Sequence, residues 1–289
     1  MKLCLRCTTP FSGVGWRCPA CGERPAIKNG FPSFAPELAA NEGFRDDLFT
    51  ELARLEEKNF WFSARNRLIQ WALGRYFLDA RNFLEVGCGT GFVLAGVGSG
   101  LPQLKLFGSE ISSAGLVHAA RRVAGAELFQ MDAREIPFRD EFDVIGSFDV
   151  LEHIHEDEAV LREMYCAVRP GGGLVLTVPQ HAFLWSQADA YACHVRRYAA
   201  RDLMAKVQAA GFQVERMTSF VSLLLPLMMA SRARQPVAKE CCDPLAELKM
   251  GGMMNAMLEK VMDVERFAIG AGLNLPAGGS LLLVARKTS

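Results

Sequence analysis

The sequence predicts a doubly wound α/β fold, and three observations carry that expectation. Apolar runs near 82–86, 104–110, 126–130, 142–148 and 173–179 alternate with helical patterns near 91–98, 113–123 and 157–168. That rhythm calls for a parallel sheet covered on both faces. The first run enters a turn with glycine at every second position (Gly87, Gly89, Gly91), and a helix starts directly after it. Finally, Glu85, Glu110, Asp132 and Asp149 all fall near the carboxyl ends of strands, where open α/β sheets bind ligands.

Taken in order, residues 1–35 stand apart. Cys4-x-x-Cys7 and Cys18-x-x-Cys21 are separated by ten residues and form two knuckles at zinc-ribbon spacing, with Gly22 allowing the reversal. Four thiolates from Cys4, Cys7, Cys18 and Cys21 make a closed tetrahedral shell, which assigns a structural zinc rather than a catalytic one. A unit this short cannot bury enough apolar surface alone, so the metal would supply its folding free energy. A redox or disulfide use of the CxxC pairs is the competing reading.

Residues 36–80 read as a helical lid or linker, with Leu48, Leu52, Leu55 and Phe60, then Leu68, Ile69 and Leu73, near helical spacing. The main domain spans 81–289. A helix at 200–210 stops at Gly211, 212–219 makes a sixth strand and 280–286 the seventh. Between those last two strands lies an apolar insertion, 220–278. It opens with an eleven-residue apolar run at 220–230, followed by Met250, Met253, Met254, Met257 and Val261 at helical spacing. The insertion is either a helical cover on the sheet, an adaptable methionine wall for an apolar substrate, or a surface that dips into a membrane interface.

Composition sets the broad class. Half of the 289 residues are hydrophobic and 22% are charged, as in a soluble protein with a sizeable core. Lys+Arg and Asp+Glu balance at 32 each, which argues against a nucleic-acid partner. Neither a signal peptide nor an 18-residue apolar span is evident. Nine unevenly placed cysteines argue against a disulfide framework and for a reducing, cytoplasmic compartment.

The glycine turn points to its ligand. Glycines there let a ligand approach the backbone, and the following helix aims free N–H groups at an anionic group. Glu110, at the end of the next strand, can accept from both hydroxyls of a ribose. A nucleoside with a carboxylate-bearing tail fits, which describes S-adenosylmethionine. Here the chain resembles the class I S-adenosylmethionine-dependent methyltransferases. Residues 83–91 read as their first motif, 130–133 as the adenine-contacting segment, 142–154 as the fourth strand with its loop, and 169–179 as the turn into the fifth strand.

The resemblance covers roughly 60–220 and implies a Rossmann-like seven-stranded sheet with an antiparallel last strand. It implies cofactor contacts at Glu85, Gly87, Cys88, Gly89, Gly91, Glu110, Ile111, Asp132, Ala133, Phe148 and Asp149. It also implies a lid at 59–67, with Trp61 and Phe62 against the cofactor and Arg65 near its carboxylate.

Methyl transfer is an in-line displacement in which alignment does most of the work. A base is needed only when the acceptor must lose a proton. His153, in the loop after the fourth strand, is the first candidate. His181 and the cluster His194, Arg196, Arg197 are the second, with the arginines able to clamp an anion or to pair with Asp189 or Asp202. Catalytic roles are therefore expected at His153 and His194, while Cys88 is expected to pack. These observations imply a methyltransferase for a small-molecule O-acceptor with an apolar or lipid-linked part, and allow a peripheral membrane contact. The alternative is a ribosomal-RNA base methyltransferase gripping RNA with its ribbon.

Overall fold

The computed structural model describes residues 1–38, 46–234 and 250–288. The parts of the expected lid and insertion at 39–45 and 235–249 lie outside the described residues. The N-terminal unit contributes β1 (Lys2–Leu3), β2 (Pro10–Phe11), β3 (Ala26–Lys28) and β4 (Phe31–Ser33). Helices α1 (Asp46–Glu56) and α2 (Phe60–Tyr76) follow. The alternating part runs β5 (Asn82–Val86), α3 (Phe92–Gly100), β6 (Lys105–Glu110), α4 (Ser113–Arg122), β7 (Glu127–Gln130), β8 (Phe142–Phe148), α5 (Asp157–Ala167) and β9 (Val168–Pro179). Then come α6 (Gln187–Tyr191), α7 (Ala200–Ala209), β10 (Gln213–Phe220), α8 (Leu225–Arg234), α9 (Gly252–Gly270) and β11 (Ser280–Arg286).

The main sheet has the order β10-β11-β9-β8-β5-β6-β7-β4-β3. Strands β5 to β9 pair in parallel, and β11 enters antiparallel between β9 and β10. The expected seven strands are therefore a nine-stranded sheet. The hairpin β3–β4 extends it, because β4 pairs in parallel with β7 at Ser33 and Gln130. Spacing could not show this: CxxC knuckles report a metal, whereas the strand that follows them joins a sheet edge nearly a hundred residues away.

Period-two alternation divides the core into two layers. Phe83 and Val144 face α2, α3, α4 and α9, whereas Leu84 and Ile145 face α5 and α7. Helix α2 starts at Asn59, whose side chain accepts from Trp61 N–H, and buries Leu68, Ile69, Ala72 and Leu73. Helix α9 packs on it through Leu258, Met262 and Ile269, and Arg67 pairs with Glu259 and Asp263 across the gap. Glu265 turns its buried carboxylate back to accept the N–H groups of Val221, Ser222 and Leu223 at 2.5, 2.6 and 2.9 Å.

Of the readings its sequence allows, the insertion supplies the helical cover. One face of α9 covers the sheet, while Met253, Met257, Val264 and Phe267 on the other are exposed. No helix among the described residues is long and apolar enough to cross a membrane.

A candidate cofactor and acceptor cleft

A cavity of about 1550 Å³ opens beyond the carboxyl ends of the parallel strands. Its wall includes Arg65, Glu85, Gly87, Cys88, Gly89, Glu110, Ile111, Asp132, Ala133, Phe148, Asp149, His153 and His194. Sequence-distant residues thus meet because each strand ends at the same edge of the sheet.

The glycine turn is held from below, where the N–H groups of Gly87 and Cys88 both donate to Ser109 O at 2.9 and 2.8 Å. A Cβ on Gly87 would come within 2.4 Å of Val150, whereas one on Gly89 would project into open space. Gly89 is therefore a cradle position, where a side chain would fill room that a ligand can use. Gly91 does not belong to the wall. It sits at φ +77°, and a Cβ there would meet the Ala119 backbone at 2.8 Å, so its role is helix packing rather than cofactor contact. Cys88 is buried against the sheet, and burial pushes its thiol well above the ordinary value, as expected for packing.

Glu110 organises the neighbouring turn. One carboxylate oxygen accepts Gly89 N–H at 2.9 Å, and the other accepts Ile111 and Ser112 N–H at 2.9 and 3.2 Å. Burial raises its pKa against those hydrogen bonds. Glu85 is 2% exposed and its Oε2 has no partner. Burial pushes it well above the carboxylate range. An unsatisfied buried acceptor beside an open glycine cradle fits a cofactor that brings hydrogen-bond donors.

Three supports escaped the sequence reading. Glu56 accepts from Thr90 Oγ1 at 2.5 Å and from Arg122 at 2.8 Å, while Arg122 also reaches Thr90 O, pinning the glycine turn. These partners come from α1, the turn and α4, and no local pattern links them. Arg65 lies over the Trp61 ring, 4.3 Å from its centroid, and is paired with Asp149. Thr177 Oγ1 donates to the same Asp149 oxygen at 3.1 Å. Asp132 is held by Arg134.

The opposite end of the cleft is a polar nest. Asp189 accepts from Ser186, Arg197 and the Nδ1 side of His194, the last at 2.9 Å. Burial works to raise the Asp189 pKa, but the His194 and Arg197 hydrogen bonds prevail and hold it far below the usual range. His153 packs edge-on against His194 with centroids 4.7 Å apart. Glu152 is fully buried with both oxygens unpartnered, 3.9 Å from His194 Nε2, and burial beside Asp149 drives its pKa well up. Glu152, His153 and His194 place ligand-type atoms within 4.8 Å of one another.

The other candidates lie outside the cavity wall or are already paired. His181 stacks on Phe183 away from the cavity wall, and Arg196 is committed to Asp157 and His155 O, so it is not free to clamp an anion. Arg197 is likewise committed to Asp189.

Burial, then His194, lowers the His153 pKa to about 4. In the unfolded chain it returns to about 6.5, so between pH 6.5 and 4 the unfolded state binds the extra proton. Stability from this group is thus present near neutral pH and is lost as pH falls. Urea unfolding at pH 7 and pH 5 should show a drop that is smaller by about 2 kcal/mol in His153→Gln than in wild type.

At the N-terminus, Cys4 and Cys21 Sγ lie 3.6 Å apart, as do those of Cys7 and Cys18, and all four fall within 4.8 Å. Zn–S bonds of about 2.3 Å in a tetrahedron require S–S edges of about 3.8 Å, so the cluster fits one zinc ion.

Residues 83–172 match the family model described as a methyltransferase domain. Over 167 residues the chain is 27% identical to a probable S-adenosylmethionine-dependent methyltransferase of Mycolicibacterium smegmatis, covering 56% of this chain and 62% of that protein. Over 118 residues it is 32% identical to a ubiquinone biosynthesis O-methyltransferase of Parvibaculum lavamentivorans, covering 38% and 46%. The chain thus spans less than two thirds of the length of these curated relatives.

Among solved structures, the [4+2]-cyclase SpnF shares the fold at a TM-score of 0.53 and 23% identity, over 79% of this chain and 83% of that one. A putative methyltransferase complex with the Haloferax volcanii Trm112 activator matches at a TM-score of 0.56 and 15% identity, over 84% and 96%. The fold shared with these neighbours is α/β with a mixed sheet.

Proposed function

We propose that this methyltransferase domain uses S-adenosylmethionine to methylate a hydroxyl of a small acceptor carrying an apolar or lipid-linked part. One observation carries the reading. A single cavity is lined by the Gly89–Glu110 cradle, by Asp189 and His194, and by the apolar side chains of Leu224, Leu227, Met228 and Met250. The ubiquinone O-methyltransferase relatives support an oxygen acceptor. Nothing in the site favours RNA, and the chain carries no net charge.

Bound S-adenosylmethionine supplies an electrophilic methyl group on a cationic sulfur. Glu85, Gly87, Gly89, Glu110, Asp132, Ala133, Phe148 and Asp149, which line the cavity together, would hold it. The acceptor hydroxyl gives its proton to His194 Nε2. Asp189, bonded to Nδ1, fixes the tautomer that leaves Nε2 free and stabilises the imidazolium that results. Neutral, buried His153 shapes the pocket and is poorly suited as the base, because its protonated form is the one burial disfavours. The exposed methionine face of α9, beside the cavity mouth, supports contact with a lipid surface.

Incubating the protein with methyl-labelled cofactor and a cellular lipid extract should place label in an organic-soluble product that mass spectrometry finds 14 mass units heavier (one CH₂, by chemical composition). Label recovered only in RNA would reject this reading. The zinc is checked separately. Metal analysis should find about one zinc per chain, lost when Cys4 and Cys7 are both changed to serine.

A further inference from the structure

We propose that the N-terminal four-cysteine unit is a positioning element for the cofactor site, and that Gln130 transmits its docking to the loop carrying Glu110. The inference rests on the methyltransferase reading and assigns the unit a role inside the chain rather than toward an acceptor.

Gln130, at the end of β7, is fully buried, and its amide is satisfied on every side. Its Oε1 accepts from Ser33 Oγ at 2.6 Å and from Ala35 N–H at 3.1 Å. Its Nε2 donates to Ala35 O at 2.7 Å and to Ile111 O at 3.1 Å. One side chain therefore bridges the N-terminal unit and the residue that follows Glu110. The Gln130 carbonyl also accepts Phe34 N–H at 2.8 Å.

The unit grips the next segment at its far end as well. Leu3 N–H donates to Pro137 O, Arg139 N–H donates to Met1 O, and Lys2 bridges to Phe138. Trp16 and Phe34 pack edge-on against Phe129, and Trp16 packs in the same way against Phe138. The stretch pinned between those grips, Met131 to Arg134, lines the cavity. Asn29 reaches further still, donating to Ser113 Oγ at the start of α4, and Leu38 itself joins the cavity wall.

Both loops at the nucleoside end of the cleft thus rest on the N-terminal unit. Glu110 can present its oxygens only if the Ile111–Ser112 turn stays in place, and the Ile111 carbonyl is held by Gln130. Losing the unit would leave the Gln130 amide and the β7 edge without partners, and a buried polar group left unpaired is costly enough to shift the loop.

The test measures S-adenosylhomocysteine binding by calorimetry on the full chain. Gln130→Leu removes the bridge, and Trp16→Ala loosens docking without touching the cavity. Each should bind about tenfold more weakly while still unfolding cooperatively. Gln130→Glu keeps the acceptor for Ser33 and Ala35 but loses both donations, and should be as weak as Gln130→Leu. If Gln130→Leu does not fold, Trp16→Ala and the exposed Asn29→Ala decide the matter, with Asn29→Ala expected to weaken binding about twofold to threefold. Wild-type affinity in folded Gln130→Leu, or in Trp16→Ala when only that variant folds, overturns the proposal. Failure of the wild-type chain to bind S-adenosylhomocysteine would instead overturn the methyltransferase reading on which it rests.

Discussion

His194→Ala is expected to lower turnover about 10²–10⁴-fold while S-adenosylhomocysteine affinity stays within a few fold of wild type. The size follows from the role proposed for the side chain. A positioned base contributes that much when the acceptor must lose a proton during transfer, and His194 is positioned by an unusually committed partner. Asp189 is fixed by Ser186 and Arg197, so the imidazole it holds has little freedom to turn. Asp189→Asn should reproduce part of the loss by allowing the wrong tautomer. His153→Gln should cost far less, because its ring is neutral and packs against His194 rather than being steered by a carboxylate. Steady-state rates across pH 6–9 check the assignment. An acidic limb (rate falling as pH falls) that survives in His194→Ala, with turnover near wild type, would remove the base role and leave cofactor binding untouched.

The second large effect is on binding. Glu110→Ala should weaken S-adenosylhomocysteine about ten- to hundredfold, from the loss of charged-acceptor hydrogen bonds of about 1.5–3 kcal/mol. In the structure its two oxygens accept three backbone N–H groups from the glycine turn and the residues after itself. The variant therefore loses a ligand contact and also the tie that keeps the two loops in register. Glu110→Gln separates the contributions, because its amide oxygen can keep one side of that tie. Calorimetric affinity unchanged in Glu110→Ala would show that the nucleoside does not lie against this strand end.

Much of this was legible in the chain because the relevant signals are local. The alternation of apolar runs and helical periods marks the strands and helices between 82 and 167 to within a few residues, since a strand or helix buried on one face must repeat that face in its sequence. The glycine turn is also local, because Gly89 needs its open Cβ position whatever surrounds it. Glu110, Asp132, Asp149, His153 and His194 could be proposed because strand ends in such a sheet share one edge.

What local signals could not carry was pairing at a distance. Gly91 reads like its two neighbours, yet only the packing of α4 shows that its missing Cβ makes room for Ala119. Arg65 reads as a contact to the cofactor carboxylate and Arg197 as either an anion clamp or a partner of Asp189 or Asp202, and only the folded chain pairs them with Asp149 and Asp189. Glu56, Arg122 and Gln130 carry no pattern at all.

By itself the sequence determined the strand–helix order, the glycine cradle and the four-cysteine cluster, each specified by residues close together in the chain. The tertiary structure alone decided that the N-terminal hairpin extends the sheet beside β7, that Gln130 bridges it to the Glu110 loop, and that Asp189 bonds the His194 ring. Those outcomes depend on which buried donors find acceptors. A polar group removed from water takes whichever partner the fold brings within reach, however far away it lies in the chain.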